Sequence, residues 1–264
     1  MPDLIRMERI SKFYGRVQAL DDVNLVVRER EIVGLLGDNG AGKSTLIKVL
    51  SGAVPVTSGE IYIRGQKAVI RSTTDAIGYG IETIYQDSAL VTQLSIARNL
   101  FLGREPVRPP RFLGRLDFAA MNAVAGGLLR KVGIEKVIPP DTPVAALSGG
   151  ERQAVAIARA MHFDSDLIIL DEPTNNLGVA ETQGVLNFVR SARDSGHSCI
   201  FIAHNIHHVF QVVDRIVVMR RGRVVADDID PKETSVEEVE RVITGMSDYE
   251  PRSRPAAVDA DAPG

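Results

Sequence analysis

A glycine-rich segment that ends in lysine and serine is the strongest chemical signal in the sequence. Residues 37–44 read GDNGAGKS, after an almost wholly apolar run at 31–36 typical of a strand buried on both faces and before a helical sequence. Glycines let successive backbone N–H groups turn toward phosphate oxygens, and a helix start adds a partial positive charge. We predict that this segment binds the phosphates of a nucleotide, through Gly37, Asp38, Asn39, Gly40, Ala41, Gly42, Lys43, Ser44 and Thr45.

Lysine, serine and two carboxylates supply the groups that phosphate chemistry needs. Lys43 can reach the terminal phosphates, and the Ser44 hydroxyl can ligate Mg²⁺. Asp171 and Glu172 follow the apolar run at 167–170, which places them at the carboxyl edge of a sheet, where ligands of open α/β folds bind. We expect Asp171 to hold Mg²⁺ through water. Glu172 should point the other way along the two-residue period of the strand and polarise a water aimed at the γ-phosphate.

A second helix start has the features of an anion site. Residues 147–151 read LSGGE and open a helical stretch at 154–161. Ser148 is placed to cap this helix, and Gly149 and Gly150 leave its first N–H groups open to an anion. An isolated turn of this kind would be interpreted as a helix cap without further function, so its interpretation depends on the other motifs.

Composition and charge disfavour several classes of protein. The 264 residues carry 31 basic and 34 acidic side chains, and the net charge of −3 gives no support for a nucleic-acid-binding face. The longest apolar runs are far shorter than the ~18–20 residues that span a bilayer, and residues 1–12 are charged where a secretory signal needs an apolar core. The one cysteine, Cys199, is expected to be a buried thiol. We expect a cytosolic protein whose membrane partner is a different chain.

The order of predicted elements indicates an α/β fold with a helical insert. Residues 4–33 alternate polar and apolar positions as in antiparallel β-structure, and 59–70 is typical of a hairpin. Helical stretches broken by proline and glycine follow at 88–163. Buried strands at 167–170 and 199–203, with helical sequence between them, favour a parallel sheet.

Taken together and in this order, the motifs resemble those of the ABC ATPase family, over about residues 4–245. The family's signature is LSGGQ, and Glu151 replaces its usual glutamine here. The resemblance implies a P-loop NTPase (RecA-like) core, an antiparallel β subdomain and an ABC-specific α-helical subdomain at about 88–163. Proline, alanine and aspartate dominate the remaining tail, 246–264, which we expect to be disordered.

The resemblance also assigns roles to residues that carry no signal of their own. Tyr14 matches the aromatic residue that stacks on adenine, although a tyrosine on a β-surface would look the same. Gln86 matches the glutamine that contacts the Mg²⁺ and water site and senses the membrane partner. His204 matches the histidine that hydrogen-bonds the γ-phosphate. The other histidines of this region are expected to be solvated or structural: His197, His207 and His208.

The resemblance implies a homodimer with two shared ATP sites. In the family, the residues that match Ser148 and Gly150 close over ATP bound to the opposite subunit, so that ATP joins the dimer and hydrolysis releases it. That cycle drives movement in a separate membrane protein. One departure is Gly178, which stands where many family members carry an aspartate that helps to join the two sites.

Shorter stretches resemble the ATPases of bacterial monosaccharide importers of the ribose, xylose and fructose group. They are DNG at 38–40, TQLSIARN at 92–99, FLGRE at 101–105 and LGV at 177–179. The chain has one phosphate segment and one signature, like the single-domain members of that group. The resemblance implies a peripheral ATPase subunit at the cytoplasmic face of the inner membrane. It would work with permease subunits and, through them, with a periplasmic sugar-binding protein.

Two other functions remain open from the sequence alone: an ABC transporter for another small solute, and a soluble ABC ATPase that acts on ribosomes or DNA. The second is disfavoured because tandem ATPase units, long coiled coils and basic linkers are not visible. A small GTPase is disfavoured because an NKxD-like guanine-reading motif is missing. For an importer, the permease contact should lie after Gln86, around Leu94 to Phe101, unless the apolar residues there simply pack the insert.

Overall fold

Ten strands, eight α-helices and a 3-10 helix (Val144–Ala146) form the regular structure of the described residues, which are 2–85, 90–110, 114–131, 136–163, 165–175, 177–247 and 249 of the computed structural model. The strands are β1 (Asp3–Tyr14), β2 (Val17–Arg28), β3 (Ile32–Gly37), β4 (Ser58–Ile63), β5 (Gln66–Ala68), β6 (Ile81–Ile84), β7 (Leu167–Asp171), β8 (Ser198–Ile202), β9 (Arg215–Arg220) and β10 (Arg223–Ile229). The helices are α1 (Lys43–Leu50), α2 (Thr73–Gly78), α3 (Ile96–Leu100), α4 (Phe118–Lys131), α5 (Gly149–His162), α6 (Val179–Asp194), α7 (Ile206–Val212) and α8 (Val236–Thr244).

The first sheet is antiparallel, with the strand order β2-β1-β4-β5. Along β2 the side chains of Val23, Leu25 and Val27 are buried and alternate with more exposed neighbours, because one face of the sheet lies on the core. The predicted antiparallel β-structure near the N-terminus and the predicted hairpin, which is β4 and β5, are confirmed.

The second sheet has the strand order β10-β9-β3-β8-β7-β6, with parallel pairing from β9 to β6 and an antiparallel edge strand, β10. β3 is buried on both faces. Val33 and Leu35 pack in one core with α1 and the first sheet, and Ile32 and Leu36 pack in another with α6 and α7. The predicted parallel sheet is confirmed. The sequence analysis missed β6, which has only four residues and two polar ones at its centre.

The helical insert has a third core of its own. Residues from α3, α4 and one face of α5 form it, while the opposite face of α5 packs against the second sheet. Ile96, Leu100 and Phe101 are buried in this third core. Ile96, Leu100 and Phe101 therefore pack the insert, and the predicted permease contact around Leu94 to Phe101 stays a prediction.

Two charged clusters hold the sheets together. Arg64, between β4 and β5, donates two hydrogen bonds of 2.7 Å to Asp166, just before β7. Arg215 is 4% exposed, and its guanidinium donates to Glu31 at 2.7 Å and to the Val26 carbonyl at 2.6 Å. Burial acts to raise the pKa of Glu31, but the Arg215 hydrogen bond and charge hold that pKa below its usual value. The antiparallel sheet is thus fixed to the parallel one at two separate points.

Three remaining expectations concern single features. Cys199 lies in β8 and is fully buried, as expected, and burial raises the pKa of its thiol to about 12. None of the helices in the described ranges combines the length and the apolar content needed to span a membrane. Apart from residues 246, 247 and 249, the predicted tail at 246–264 lies outside the described residues.

Candidate active site

The phosphate segment forms the loop between β3 and α1, at the carboxyl edge of the parallel sheet. Gly37 has φ 150°, and a Cβ atom there would come within 2.3 Å of the Met219 carbonyl oxygen in β9, so only glycine fits. The Ala41 carbonyl accepts a hydrogen bond of 2.9 Å from the Gly222 N–H group, in the turn after β9. The loop is therefore fixed to the strand beside β3, as a backbone cradle for phosphate requires.

Lys43 is the first residue of α1 and is 8% exposed. Its ammonium group donates to the carbonyl oxygens of Gly37, at 2.6 Å, and Asp38, at 3.1 Å. Burial lowers the pKa of this ammonium, and the carboxylates of Glu172, Asp38 and Asp171 oppose that shift. A cation held by neutral carbonyl groups in a partly desolvated site gains strongly from an anion such as phosphate.

The other predicted phosphate-binding residues surround Lys43. Asp38, Asn39 and Gly40 are exposed at the top of the loop, and Ser44 is exposed at the start of α1. Beside them is a cavity of about 370 Å³, which Asp38, Asn39, Ala203, His204, Glu240 and Ile243 help to line. His204, which is predicted to hydrogen-bond the γ-phosphate, thus faces the same cavity as the phosphate loop.

Asp171 and Glu172 lie at the same edge of the sheet but differ in backbone geometry. Asp171 is the last residue of β7, and burial raises the pKa of its carboxyl group, with Glu172 adding to the rise and Lys43 opposing it. Glu172 lies beyond the strand with φ 53°, in the left-handed region. The expectation that the two-residue period of the strand directs Glu172 was wrong, because β7 has already ended.

The Glu172 carboxylate has partners on both oxygen atoms. Its Oε1 atom is 2.7 Å from His204 Nε2, and its Oε2 atom accepts a hydrogen bond from the Asn175 side-chain amide. The Asn175 backbone N–H also donates to the Glu172 carbonyl, which closes a tight turn. The structure therefore brings two predicted residues, Glu172 and His204, into direct contact and adds Asn175, which the sequence analysis missed. The sequence feature that could have identified Asn175 is an amide side chain three residues after a carboxylate.

Ser148 begins α5 on the helical insert. Its hydroxyl accepts a hydrogen bond from the Glu151 N–H group at 3.2 Å, and the Glu151 carboxylate accepts one from the Ser148 N–H group at 2.8 Å. This reciprocal pair is a capping box. The backbone hydrogen bond from Ser148 holds the pKa of Glu151 below its usual value. Glu151 stands where the family has glutamine, and its carboxylate supplies a hydrogen-bond acceptor at the start of α5.

Tyr14 ends β1 and is 45% exposed. Lys12 Nζ lies 5.2 Å from the centroid of its ring. Farther along the same hairpin, the Ala19 carbonyl oxygen approaches Gly42 so closely that a Cβ there would lie 3.0 Å from it. An exposed aromatic face thus lies on a hairpin that contacts the phosphate loop. Gln86, the remaining predicted residue, lies outside the described residues.

Comparisons with known proteins agree with this geometry. The family model for the ABC transporter matches residues 20–175. The fructose import ATP-binding protein FrcA of Rhizobium meliloti is 44% identical over 241 residues, which are 90% of this chain and 92% of that protein. The xylose/arabinose import ATP-binding protein XylG of Sulfolobus acidocaldarius is 41% identical over 94% of this chain and 96% of its own length. The chain spans only 44% of the ribose import ATP-binding protein RbsA 2 of Streptomyces avermitilis, at 38% identity.

Solved structures have the same fold. A nucleotide-free ATP-binding cassette from an ABC transporter superposes with a TM-score of 0.76 at 24% identity, over 92% of this chain and 95% of the other. A second ATP-binding cassette of an ABC transporter gives 0.77 at 25% identity, over 92% and 96%. The predicted fold, with its nucleotide-binding core, antiparallel sheet and helical insert, is confirmed. On the strength of these matches and of its motifs, the chain belongs to the ABC transporter family of ATP-binding cassettes.

Proposed function

We propose that this chain is the ATP-hydrolysing subunit of an ABC importer that energises uptake of a monosaccharide through separate permease subunits. The observation that carries the proposal is the contact between Glu172 and His204 at the sheet edge that also holds the loop with Lys43. The relatives that match this chain over nearly their whole length are named as import proteins for fructose and for xylose or arabinose. These names support a sugar as the class of solute that is transported.

In this proposal each residue of the edge has one task. The loop at 37–45 binds the phosphates of ATP, and the Lys43 ammonium pairs with the terminal ones. Glu172 accepts a proton from the attacking water, and His204 moves from the carboxylate to the γ-phosphate as the nucleotide binds. Tyr14 stacks on the adenine ring, and Gln86 reports on the nucleotide to the permease.

A magnesium ion fits the donor set but needs ligands from the nucleotide. Within the described ranges, no group of three or more His, Cys, Asp or Glu side chains could hold a metal by itself. The predicted protein groups are the Ser44 hydroxyl, the Gln86 side chain and, through a water molecule, the Asp171 carboxylate. Mg²⁺ is usually held by one or two protein groups together with phosphate oxygens, and it would neutralise the charge that burial disfavours on Asp171.

Two copies of the chain would complete each ATP site. Ser148, Gly149 and Gly150 lie on the helical insert, which has a separate core from that of the phosphate loop. We propose that this turn meets the phosphate loop of a second copy, so that ATP is held between them in a homodimer. Binding then closes the dimer and hydrolysis opens it.

The permease contact is proposed for a cleft between the insert and the parallel sheet. The cleft has a volume of about 210 Å³, and Ile77, Tyr85, Leu102, Arg104 and Phe163 help to line it. Ile77 is 39% exposed and Leu102 is 37% exposed, so an apolar segment of another protein can pack on its rim. We also propose that the chain lies at the cytoplasmic face of the membrane, with a periplasmic sugar-binding protein acting through the permease and with no nucleic-acid partner.

Replacing Glu172 by glutamine tests the catalytic proposal. We expect Glu172→Gln to bind ATP as the parent does and to lose about 10²–10⁴-fold in turnover, the usual contribution of a positioned general base. With ATP it should elute as a dimer from a sizing column. Phosphate release and elution volume are the measurements, with Glu233→Gln as a control on an exposed carboxylate. Near-parental turnover in Glu172→Gln would remove Glu172 from catalysis.

Replacing Ser148 by arginine tests the shared site. Since Ser148 would act on the nucleotide of the other copy, Ser148→Arg should leave ATP binding at the phosphate loop intact and abolish hydrolysis. In the Glu172→Gln background the same change should prevent ATP-dependent dimers. The measurements are ATP affinity, by fluorescence, and the elution volume of the dimer, by gel filtration. Loss of ATP affinity in Ser148→Arg would mean that Ser148 contributes to the ATP site of its own chain.

Replacing Asp171 by asparagine should stabilise the protein in the absence of nucleotide and Mg²⁺. The pKa of Asp171 is raised in the folded state, so ionisation of this carboxyl costs folding free energy as the pH rises above its unfolded value of about 3.9. We expect a higher Tm for Asp171→Asn at pH 7 and no difference from the parent near pH 3.5. The exposed Asp141→Asn variant is the control. An unchanged or lower Tm at pH 7 would contradict a raised pKa of Asp171 in the folded protein.

A charge on the cleft rim should separate membrane docking from hydrolysis. We expect Leu102→Asp to keep the ATPase activity of the isolated chain and to lose co-purification with permease subunits from detergent-solubilised membranes. Phe118→Asp, at a 50% exposed apolar residue in α4, is the matched control and should keep both. If Leu102→Asp still co-purifies a permease at the parental yield, the cleft is not the docking site.

A further inference from the structure

Glu181 connects two segments that the proposed mechanism keeps separate. It lies in the first turn of α6, where its Oε2 atom accepts a hydrogen bond of 2.6 Å from the Gly178 N–H group. Gly178 follows the segment that begins with Glu172, so the bond ties the end of that segment to the helix. A Cβ atom at position 178 would lie 2.7 Å from the same carboxylate oxygen, so a larger residue there would displace the end of the Glu181 side chain.

The other neighbour of Glu181 is Gly150, on the signature turn. A Cβ built at Gly150 would lie 2.5 Å from Glu181 Cγ and 2.8 Å from its Oε1 atom, closer than real contacts allow. Gly150 does not have a positive φ, so its backbone conformation does not require glycine, and a Cβ atom there would displace the Glu181 side chain. Gly149 differs, because a Cβ at that position meets no atom within 4 Å. The two signature glycines therefore have different neighbours in the same chain.

These contacts cross the boundary between the helical insert and the rest of the chain. The start of α5 carries the signature, and Leu147 and Val155 lie in the core of the insert. α6 is anchored in the core under the parallel sheet through Val185 and Leu186. Glu181 is exposed, and the hydrogen bond from the Gly178 N–H group holds its carboxylate. A shift of the insert would push or release the segment that carries Glu172.

We propose that Glu181 is a positioning residue that sets the signature turn and the Glu172 segment relative to each other within one protomer. Gly178 and Gly150 have no side chains, and the Glu181 side chain occupies the space beside each of them. The inference rests on the proposed function, because it takes Glu172 and the signature turn as parts of one ATP site. It predicts that turnover, and not affinity for ATP, depends on Glu181.

A double-mutant cycle tests the contact with Gly150. Glu181→Ala should lower kcat for ATP about tenfold with little change in KM, a size common for residues in contact. Gly150→Ala should lower kcat further, because the new methyl group forces Glu181 out of place. The double variant should be no slower than Gly150→Ala, since the clash has been removed. If the two single effects multiply instead, Glu181 and Gly150 act independently and the proposal fails.

A conservative variant and a matched helix cap separate positioning from helix stability. Glu181→Gln keeps the side-chain volume and an oxygen that can accept from Gly178, so it should restore most of kcat. Glu238 likewise accepts a hydrogen bond from the N–H group of the residue that begins its helix, Ser235 at the start of α8, away from the signature turn. Glu238→Ala should lower Tm without lowering kcat per folded molecule. If Glu181→Ala behaves like Glu238→Ala, Glu181 is a helix cap and nothing more.

The same assays distinguish this inference from the proposed function. Loss of turnover in Glu172→Gln together with full turnover in Glu181→Ala would overturn the role of Glu181 and leave the ATPase mechanism in place. Full turnover in Glu172→Gln would overturn the mechanism itself. In that case a slow Glu181→Ala variant would no longer be explained by the position of Glu172.

Discussion

Lys43 is a buried residue, and its ammonium group donates hydrogen bonds to two carbonyl oxygens of its own loop. A buried cation is costly unless opposite charges and acceptors surround it. Asp171 and Glu172 supply that charge because β3 and β7 run in the same direction and end at the same edge of the sheet. The dependence is mutual, since Lys43 is the main positive group that opposes the burial-driven rise in the pKa of Asp171. The attraction between Lys43 and the carboxylates thus offsets part of the cost of burying each of them, and it depends on the parallel arrangement.

Glu172 shows how this edge holds a residue in an unfavourable conformation. A left-handed φ costs a residue of this size about 1–3 kcal/mol. Its backbone N–H group donates to the Ile202 carbonyl in β8, and its carboxylate contacts His204 and Asn175. These partners come from two strand ends and one turn, so the strain is offset only when β7, β8 and the turn are all in place. Strained residues that persist in this way are concentrated at functional sites.

Much of the fold and part of the site could be predicted because they depend on short stretches of sequence. The apolar run before Gly37 and the pattern that ends in Ser44 required only a buried strand, a turn and a helix start. β6 could not be found, because a four-residue strand with a polar centre has no clear period. The direction of Glu172 depends on where β7 ends, and the partners of Glu181 lie 31 residues upstream and three residues upstream. Contacts of this kind are set by packing between distant segments, which a single sequence does not encode as a local pattern.

The burial of Cys199 has a practical consequence for following this protein in motion. The chain has one cysteine, and at neutral pH a thiol with a pKa near 12 contains almost no thiolate, the form that reacts with electrophilic dyes and spin labels. A cysteine introduced at the 90% exposed position of Val179, at the start of α6, would therefore take up such a label alone. Distances between two copies can then be measured in an otherwise native chain, with the packing around β8 left as it is.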